Sequence, residues 1–425
     1  MADVCVAESV SATIDPMEAG GIVWQAVVVG AGPAGGSAAA RLAASGLRTL
    51  LVDRDAMPRG KVCGCCLSIE AVAELRDLAR TPAAAAIDGL SVAPLDTVRL
   101  VNRGHEATLG LQGGGVVSRE SLDAAIVRGA VAAGAAWLPR SQVTAIDDSP
   151  DATSTVRLSL VTRGENVEPR QMTLRAEHVV IATGLSDQVR IDSLGHRAPG
   201  GRTVAAGSRI GVGAVLAKDA IDLTPGQLVM AIGREGYCGI VRLEDGRIDV
   251  AAAIDRAAVV RHGDPAEAII DLVGEHAGRR IEPEAFAAAV RGDAVRATPP
   301  LTRTASLIAG ASGRILRAGD AAAYVEPFTG EGIGWALAGG RLLAEAIMHE
   351  RSPSKCEWSD PLRVARKYDA TYHRHCAPRH RRCQRVAGFV RRPLGVAAAV
   401  AVARWMPSVA RRVVPVIVGA GGSSP

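Results

Sequence analysis

Three features of this 425-residue sequence predict an α/β fold. A short apolar run, Ile22 to Val29, stops at Gly30 as a buried parallel strand does. An Ala-rich stretch with helical character runs from about Pro33 to Ala44 and ends at Gly46. A second apolar strand, Arg48 to Val52, then ends on Asp53, completing one βαβ unit. The apolar content of 48% against only 3% aromatic residues is the third feature. It rests on Ala, Val, Leu and Gly, which suits helices packed closely on a parallel sheet.

The remaining elements follow from capping signals and periodicity. Residues 58–66 read as a loop rich in Gly and Cys, followed by a helix from Ser68, its cap, to Arg80. Ser118-Arg119-Glu120-Ser121 opens another capped helix that runs to Gly134, with Leu122, Ala125 and Ile126 at helical spacing. Residues 141–178 alternate apolar and polar as a small antiparallel sheet, closed by His178 to Ala182 as a buried strand. Strands are expected at 203–216, 227–232, 237–242 and 247–254, and Ala-rich helices after them. Residues 314–348 return to strand, turn and long helix, and 360–418 read as mostly helical. The domain plan is a flexible leader at 1–21, a discontinuous first domain from 22–200 and 300–350, a substrate domain at 201–299, and a C-terminal helical region at 351–425.

Charge and cysteine content exclude several classes. A net charge of +5 is modest for this length, and no long basic tract of the nucleic-acid-binding kind is present. The N-terminus lacks the charged start and apolar run of a secretory signal. The eight cysteines therefore read as reduced cytoplasmic thiols, not a disulfide framework. Pro393 to Ala403, the most apolar C-terminal stretch, is too short to cross a bilayer and is flanked by arginines, as a surface helix would be.

Two glycine motifs carry the chemistry. Gly30-Ala31-Gly32-Pro33-Ala34-Gly35 lies between strand and helix, with Asp53 at the end of the next strand and Arg54 beyond it. The first glycine permits the tight turn, the second lets backbone approach a pyrophosphate, and the third lets helix and strand pack closely. The helix N-terminus offers free N–H groups to phosphate, and Asp53 can accept hydrogen bonds from a ribose. Far downstream stands Gly319-Asp320-Ala321-Ala322-Ala323-Tyr324-Val325-Glu326-Pro327-Phe328-Thr329-Gly330-Glu331-Gly332-Ile333-Gly334. Here Asp320 can accept hydrogen bonds from a polyol chain. The bare glycines let a flat ring lie against backbone, and the start of the next helix favours negative charge.

Together these residues resemble the glutathione-reductase-type flavoprotein superfamily, in the branch that contains aromatic hydroxylases, flavin halogenases and geranylgeranyl reductases. The resemblance covers roughly residues 22–350 and implies a Rossmann-like FAD-binding domain with an inserted mixed β-sheet substrate domain. It also implies FAD contacts by Asp320, with Pro327, Gly330, Gly332 and Ile333 around it, and by Arg119. The third fingerprint of the superfamily appears as Ala182-Thr183-Gly184-Leu185-Ser186, where Thr183 replaces an acid and Gly184 keeps the turn. Lys61-Val62-Cys63-Gly64-Cys65-Cys66-Leu67-Ser68 is most similar to the geranylgeranyl reductase group. The tryptophan motif of halogenases and reductases is replaced by Gly236-Tyr237-Cys238-Gly239-Ile240-Val241-Arg242.

The function expected on this basis is an FAD-dependent oxidoreductase that reduces carbon–carbon double bonds of an apolar, isoprenoid- or polyketide-like substrate. An aromatic monooxygenase using NAD(P)H and dioxygen is the alternative, and a flavin electron-transfer subunit the third reading. Only one nucleotide fingerprint exists, so NAD(P)H must bind transiently over the flavin or a reduced ferredoxin must deliver electrons. Cys63, Cys65 and Cys66 are candidates for proton donation to substrate or for shaping the pocket; simple burial is the bland reading. A zinc site is not expected. The histidines and cysteines that could complete one, His373 to Cys383, sit in a strongly cationic stretch. The apolar and arginine-rich C-terminal region is expected to touch a membrane peripherally or to cap the substrate domain.

Overall fold

The computed structural model describes residues 10–148, 155–164, 167–186, 189–191, 202–278, 280–305, 312–326, 328, 330–350 and 360–405. The first expectation to change is the leader. Residues 16–21 form helix α1 (Pro16–Gly21), capped by the Asp15 carboxylate and packed through the buried Ala19. Ile14 N–H donates to the Trp137 carbonyl at 2.9 Å, so this segment is an integral part of the first domain. Its short length hid it from a reading that looks for sustained periodicity.

The βαβ unit is present as β1 (Val23–Val29), α2 (Pro33–Ala44) and β2 (Thr49–Val52), with β1 and β2 parallel. They belong to a sheet completed by β6 (Ala136–Leu138), β7 (Ser141–Asp147), β8 (Val156–Gly164), β9 (Val167–Ile181), β10 (Arg190–Ile191) and β18 (Ile315–Arg317). The order is β10-β7-β8-β9-β1-β2-β6, and β18 pairs in parallel with the end of β9. The antiparallel β7-β8-β9 meander thus hangs on the edge of the parallel Rossmann sheet, as the alternation of residues 141–178 required.

The second sheet gathers β3 (Cys66–Leu67), β4 (Ala93–Asn102), β5 (His105–Val116), β12 (Ile210–Leu216), β13 (Gln227–Ile232), β14 (Gly236–Arg242), β15 (Ile248–Ile254) and β16 (Arg296–Pro300). This corrects the domain plan. Residues 93–116, assigned to the first domain from sequence, pair instead with the substrate-domain sheet through the parallel contact of β4 with β13. The glycine run Gly113–Gly115 at the end of β5 reads as a turn, which masks a strand that tertiary pairing imposes. Helices α6 (Arg256–His262), α7 (Pro265–Ala277) and α8 (Pro283–Arg291) accompany this sheet, their apolar faces buried with Ile248, Val250, Ala252 and Ile254. A small third sheet joins β11 (Arg202–Val204), β17 (Arg303–Ala305) and β19 (Ala323–Tyr324).

The other helices are α3 (Ile69–Leu78), α4 (Ala84–Asp88), α5 (Arg119–Ala132), α9 (Gly332–His349), α10 (Pro361–Val390) and α11 (Pro393–Trp405). Ser68 and Ser118 cap α3 and α5, accepting from the N–H groups of Ala71 and Ser121. No helix among the described residues is long and apolar enough to cross a membrane.

Helices α2 and α9 bring the two glycine motifs together. A Cβ on Gly340 would lie 2.2 Å from the Ala34 carbonyl oxygen, and one on Gly319 2.8 Å from Ala34 Cβ, so only hydrogen fits at either place. Ser37 Oγ crosses the same contact and donates to the Leu337 carbonyl at 3.1 Å. Gly274, inside α7, has nothing within 4 Å of its would-be Cβ. Two alanine substitutions should therefore act in opposite directions. Gly340→Ala is expected to cost about 1–3 kcal/mol by overpacking, and Gly274→Ala to add about 0.5–1 kcal/mol by removing helix-interior glycine. Thermal or urea unfolding checks the pair, and a neutral Gly340→Ala would refute the close contact.

Candidate functional site: a cofactor end and an apolar chamber in one cavity

A cavity of about 1720 Å³ lies between the two large sheets. Small-molecule pockets ordinarily measure roughly 300–1,000 Å³, so this space is large enough for a dinucleotide together with a second molecule. It begins at the N-terminus of α2, where Gly32, Pro33 and Ala34 line it. Gly32 is the N-cap and brings no side-chain cap, which leaves the first N–H groups of α2 open to an anion. Gly30 holds φ +104°, and a Cβ on Gly35 would stand 1.8 Å from the Gly30 carbonyl oxygen. Gly30 thus makes the turn and Gly35 the close packing that the motif spacing implied, while Gly32 leaves the helix start open.

Three cations surround this end. The Arg119 guanidinium lies 3.7 Å from the would-be Cβ of Gly32 and is held by Asp123 through two hydrogen bonds of 2.9 and 2.8 Å. Arg59 reaches Asp53 at 3.2 Å and Asp123 at 3.6 Å, yet its buried Nε has no partner. Lys61 Nζ lies 3.5 Å from the would-be Cβ of Gly184, and burial, with Arg59 and Arg119 nearby, lowers its pKa to about 8. Open helix N–H groups, an orphaned guanidinium nitrogen and a lysine short of counter-charge fit a pyrophosphate. Asp53 stands just after β2, beside the glycine loop. Its Oδ2 accepts from Ala31 N–H at 2.6 Å and from Arg59, and its Oδ1 accepts from Asp55 N–H, so it braces that loop. Arg54 lines the cavity and pairs at 3.4 Å with Asp55.

The second motif lines the next stretch. Asp320, Gly330, Gly332 and Ile333 all face the cavity, and α9 starts there with no side chain capping it. Gly319, with φ +60°, packs against Ala34 and Ala336. Pro327 lies outside the described residues. Uncapped N-termini of α2 and α9 thus open on one cavity, an arrangement that suits the phosphates and ring of FAD.

The cysteine loop runs along the same wall, all of Cys63, Cys65 and Cys66 lining the cavity as free thiols. Cys66 Cβ comes within 3.5 Å of the would-be Cβ of Gly330, so the loop meets the second motif directly. The hydrogen bond from Cys65 lowers the Cys63 thiol to about 6, with Arg119 adding to the effect against the opposing cost of burial. Cys65 is pushed up by holding that proton, and Cys66 by burial. Sequence reading missed Asp249, on β15. Its carboxyl lies beside Cys65, is buried, and is pushed up first by desolvation and then by Cys63. A single acid within Ile248-Asp249-Val250-Ala251 was the available signal. Among the described residues no cluster suits a metal ion.

Beyond the cysteines the lining turns apolar, with Val98, Leu109, Met230, Ile232, Val396 and Val400. Aromatic residues are concentrated here. Tyr237, Tyr324, Phe328 and Phe389, two of the four tyrosines and two of the three phenylalanines of the chain, line the cavity. Tyr237 and Phe328 stack edge to face at 5.0 Å.

Two pH responses follow. A bound anion favours protonated Lys61, so FAD affinity should fall as pH rises through and beyond about 8. Lys61→Met should flatten that dependence in fluorescence titrations of apoprotein; an unchanged profile would remove Lys61 from the site. Separately, iodoacetamide should alkylate Cys63 of the apoprotein with a midpoint near pH 6. Arg119→Gln should move the midpoint upward, as followed by mass spectrometry.

Comparison with known proteins agrees with this geometry. The family model for pyridine nucleotide-disulphide oxidoreductases matches residues 24–212. The menaquinone reductase of Mycobacterium tuberculosis H37Rv is 29% identical, over 76% of this chain and 76% of that protein. A myxobacterial chondrochloren halogenase, an FAD-dependent enzyme, superposes with TM-score 0.67 at 18% identity over 84% of this chain and 81% of its own. A flavoprotein/dehydrogenase from Cytophaga hutchinsonii gives 0.69 at 15% identity over 94% and 93%. The structural likenesses speak for the fold; the glycine loop, the cationic pocket and the family-model match support an FAD-dependent oxidoreductase.

Proposed function

We propose that this chain reduces a carbon–carbon double bond in an apolar, isoprenoid-bearing molecule, with a prenylated quinone as the favoured substrate class. The carrying observation is the continuity of the cavity: a polar cofactor end opens without partition into an apolar chamber beneath α11. A long hydrocarbon gains roughly 25 cal/mol for each Å² removed from water there. The similarity to a menaquinone reductase supports the same class, since menaquinone carries an isoprenoid tail. FAD, once reduced, would supply the hydride; NAD(P)H or a reduced ferredoxin is the proposed source of its electrons.

The protein's part is to orient the alkene and supply a proton. Cys63 and Cys65 share one proton at neutral pH, held between a thiolate beside Arg119 and a thiol beside Asp249. Hydride transfer to one alkene carbon and proton transfer from Cys65 to the other would complete the reduction, with water restoring the thiol proton. This refines the sequence expectation, which left the three cysteines equivalent: Cys63, as a thiolate, is the poorest donor of the three.

The second reading, an aromatic monooxygenase, draws on the fold shared with an FAD-dependent halogenase. Oxygen dependence separates the two. The protein is reduced anaerobically with NADH, NADPH or reduced ferredoxin and mixed with menaquinone. Anaerobic flavin reoxidation with a product two hydrogens heavier in its side chain is expected; product formed only after air is admitted would establish the monooxygenase. Cys65→Ser should leave flavin reduction intact and slow reoxidation by about 100-fold or more. Normal reoxidation in this variant would remove Cys65 from the reaction.

A further inference from the structure

Helix α11 is apolar on both of its faces. Val396 and Val400 turn inward and line the cavity, while Ala398, Ala401 and Val402 are exposed, Val402 by 46%. A helix that is hydrophobic all round is ordinarily buried. The stretch is bracketed by charge, Arg391 and Arg392 before it and Arg404 after it.

The helix before it supplies a matching stripe. Arg374, Arg381 and Arg385 stand on one face of α10 at spacings of seven and four residues, and Phe389, 44% exposed, continues that line. Arg374, Arg381, Arg385 and Arg392 are exposed and carry no ion pair among the described residues. Other arginines of this segment are engaged: Arg382 with Glu331, Arg391 with Asp255 and Glu326, and Arg379 with the His375 carbonyl. Residues 370–405 contain no Asp or Glu, and the one carboxylate within α10, Asp369, lies 3.4 Å from His373. Phe389 packs at the junction of the two helices, 3.1 Å from the would-be Cβ of Gly395, and also lines the cavity, as do Arg385 and Ala399.

We infer that α11 and the basic stripe of α10 form a docking face for an anionic lipid bilayer, with the cavity opening onto the membrane at Phe389 and Ala399. Guanidinium groups would lie at the headgroups while the Ala398, Ala401 and Val402 face enters the acyl boundary, the geometry of an interfacial helix that does not span. An acidic electron-donor protein would match the arginines equally, but it would not cover an aliphatic helix face ending in an exposed phenylalanine. An apolar molecule could then pass from bilayer to cavity without crossing water. The face does not depend on which reaction the cavity performs.

The test is vesicle flotation of the FAD-loaded protein. Wild type should float with vesicles of phosphatidylglycerol and phosphatidylcholine, remain behind with phosphatidylcholine alone, and detach in part at high salt. The triple variant R374E/R381E/R392E should bind the anionic vesicles more weakly by about tenfold or more. A398D/V402D should lose binding while keeping its flavin spectrum, which reports an intact fold. Failure of wild type to float, equal recovery with neutral vesicles, or flotation of A398D/V402D like wild type would overturn the proposal. So would a lipid-free dimer that A398D/V402D converts to monomer, which would give the face to a second copy. Salt-sensitive binding of a ferredoxin by a protein that ignores vesicles would reassign it to an electron donor.

Discussion

The contact between α2 and α9 is the constraint on which the remaining geometry rests. The Rossmann helix and the helix after the second glycine motif meet with backbone against backbone, Gly340 over the Ala34 carbonyl and Gly319 against Ala34 and Ala336. Helices that approach this closely have no room for side chains between them, which is why both are built from Ala and Gly. The reward is positional. Two helix N-termini that start at Pro33 and Gly332, far apart in sequence, open on one cavity, and the loop carrying Asp320 is carried there with them.

Around that contact the fold handles charge by pairing what it buries. Asp123, fully buried on α5, holds Arg119 and approaches Arg59, so two guanidinium groups are fixed beside Gly32 before any anion arrives. Such preorganisation spares the ordering cost of two long side chains on binding. A second buried network ties the domains. Arg209, with no exposed surface, meets Asp255 at 3.0 Å and Glu326 at 3.2 Å, and Arg391 from the end of α10 meets the same two carboxylates. The Arg209–Glu326 pair of this network is buried, and removing one partner of a buried pair ordinarily costs about 3–5 kcal/mol. The network fixes α10, and therefore α11, over the apolar chamber relative to the second motif.

The cysteine loop lies where the two domains meet. Its backbone joins the substrate sheet through Cys66 with Val116, and its Arg59 braces Asp53 at the end of β2. One short segment therefore senses the glycine loop, the second motif and the substrate sheet. The division of proton affinity between Cys63 and Cys65 begins in the hydrogen bond between them, and that placement adds Arg119 from α5 on the side of the Cys63 thiolate and Asp249 from β15 beside Cys65.

Local chemistry was legible in the sequence. The βαβ unit, the bounds of α2, the serine caps of α3 and α5 and the glycine spacing of both motifs were all readable, because each depends on residues within a turn or two of one another. The first-domain boundary, by contrast, failed at residues 93–116, since strand pairing with β13 is decided by partners more than a hundred positions away. The same holds for Asp53, whose hold on Ala31 and Arg59 exists only once the loop has folded over it. Asp249 and Lys61 acquired their perturbed acidity chiefly from burial, which only the assembled fold imposes. The sequence by itself determined which segments could be strands and helices and where an anion could be cradled, because periodicity, caps and glycine freedom are local. Only the tertiary structure decided which charges face that cradle and what lies beyond it, because burial and electrostatic fields belong to the assembled surfaces and to no single segment.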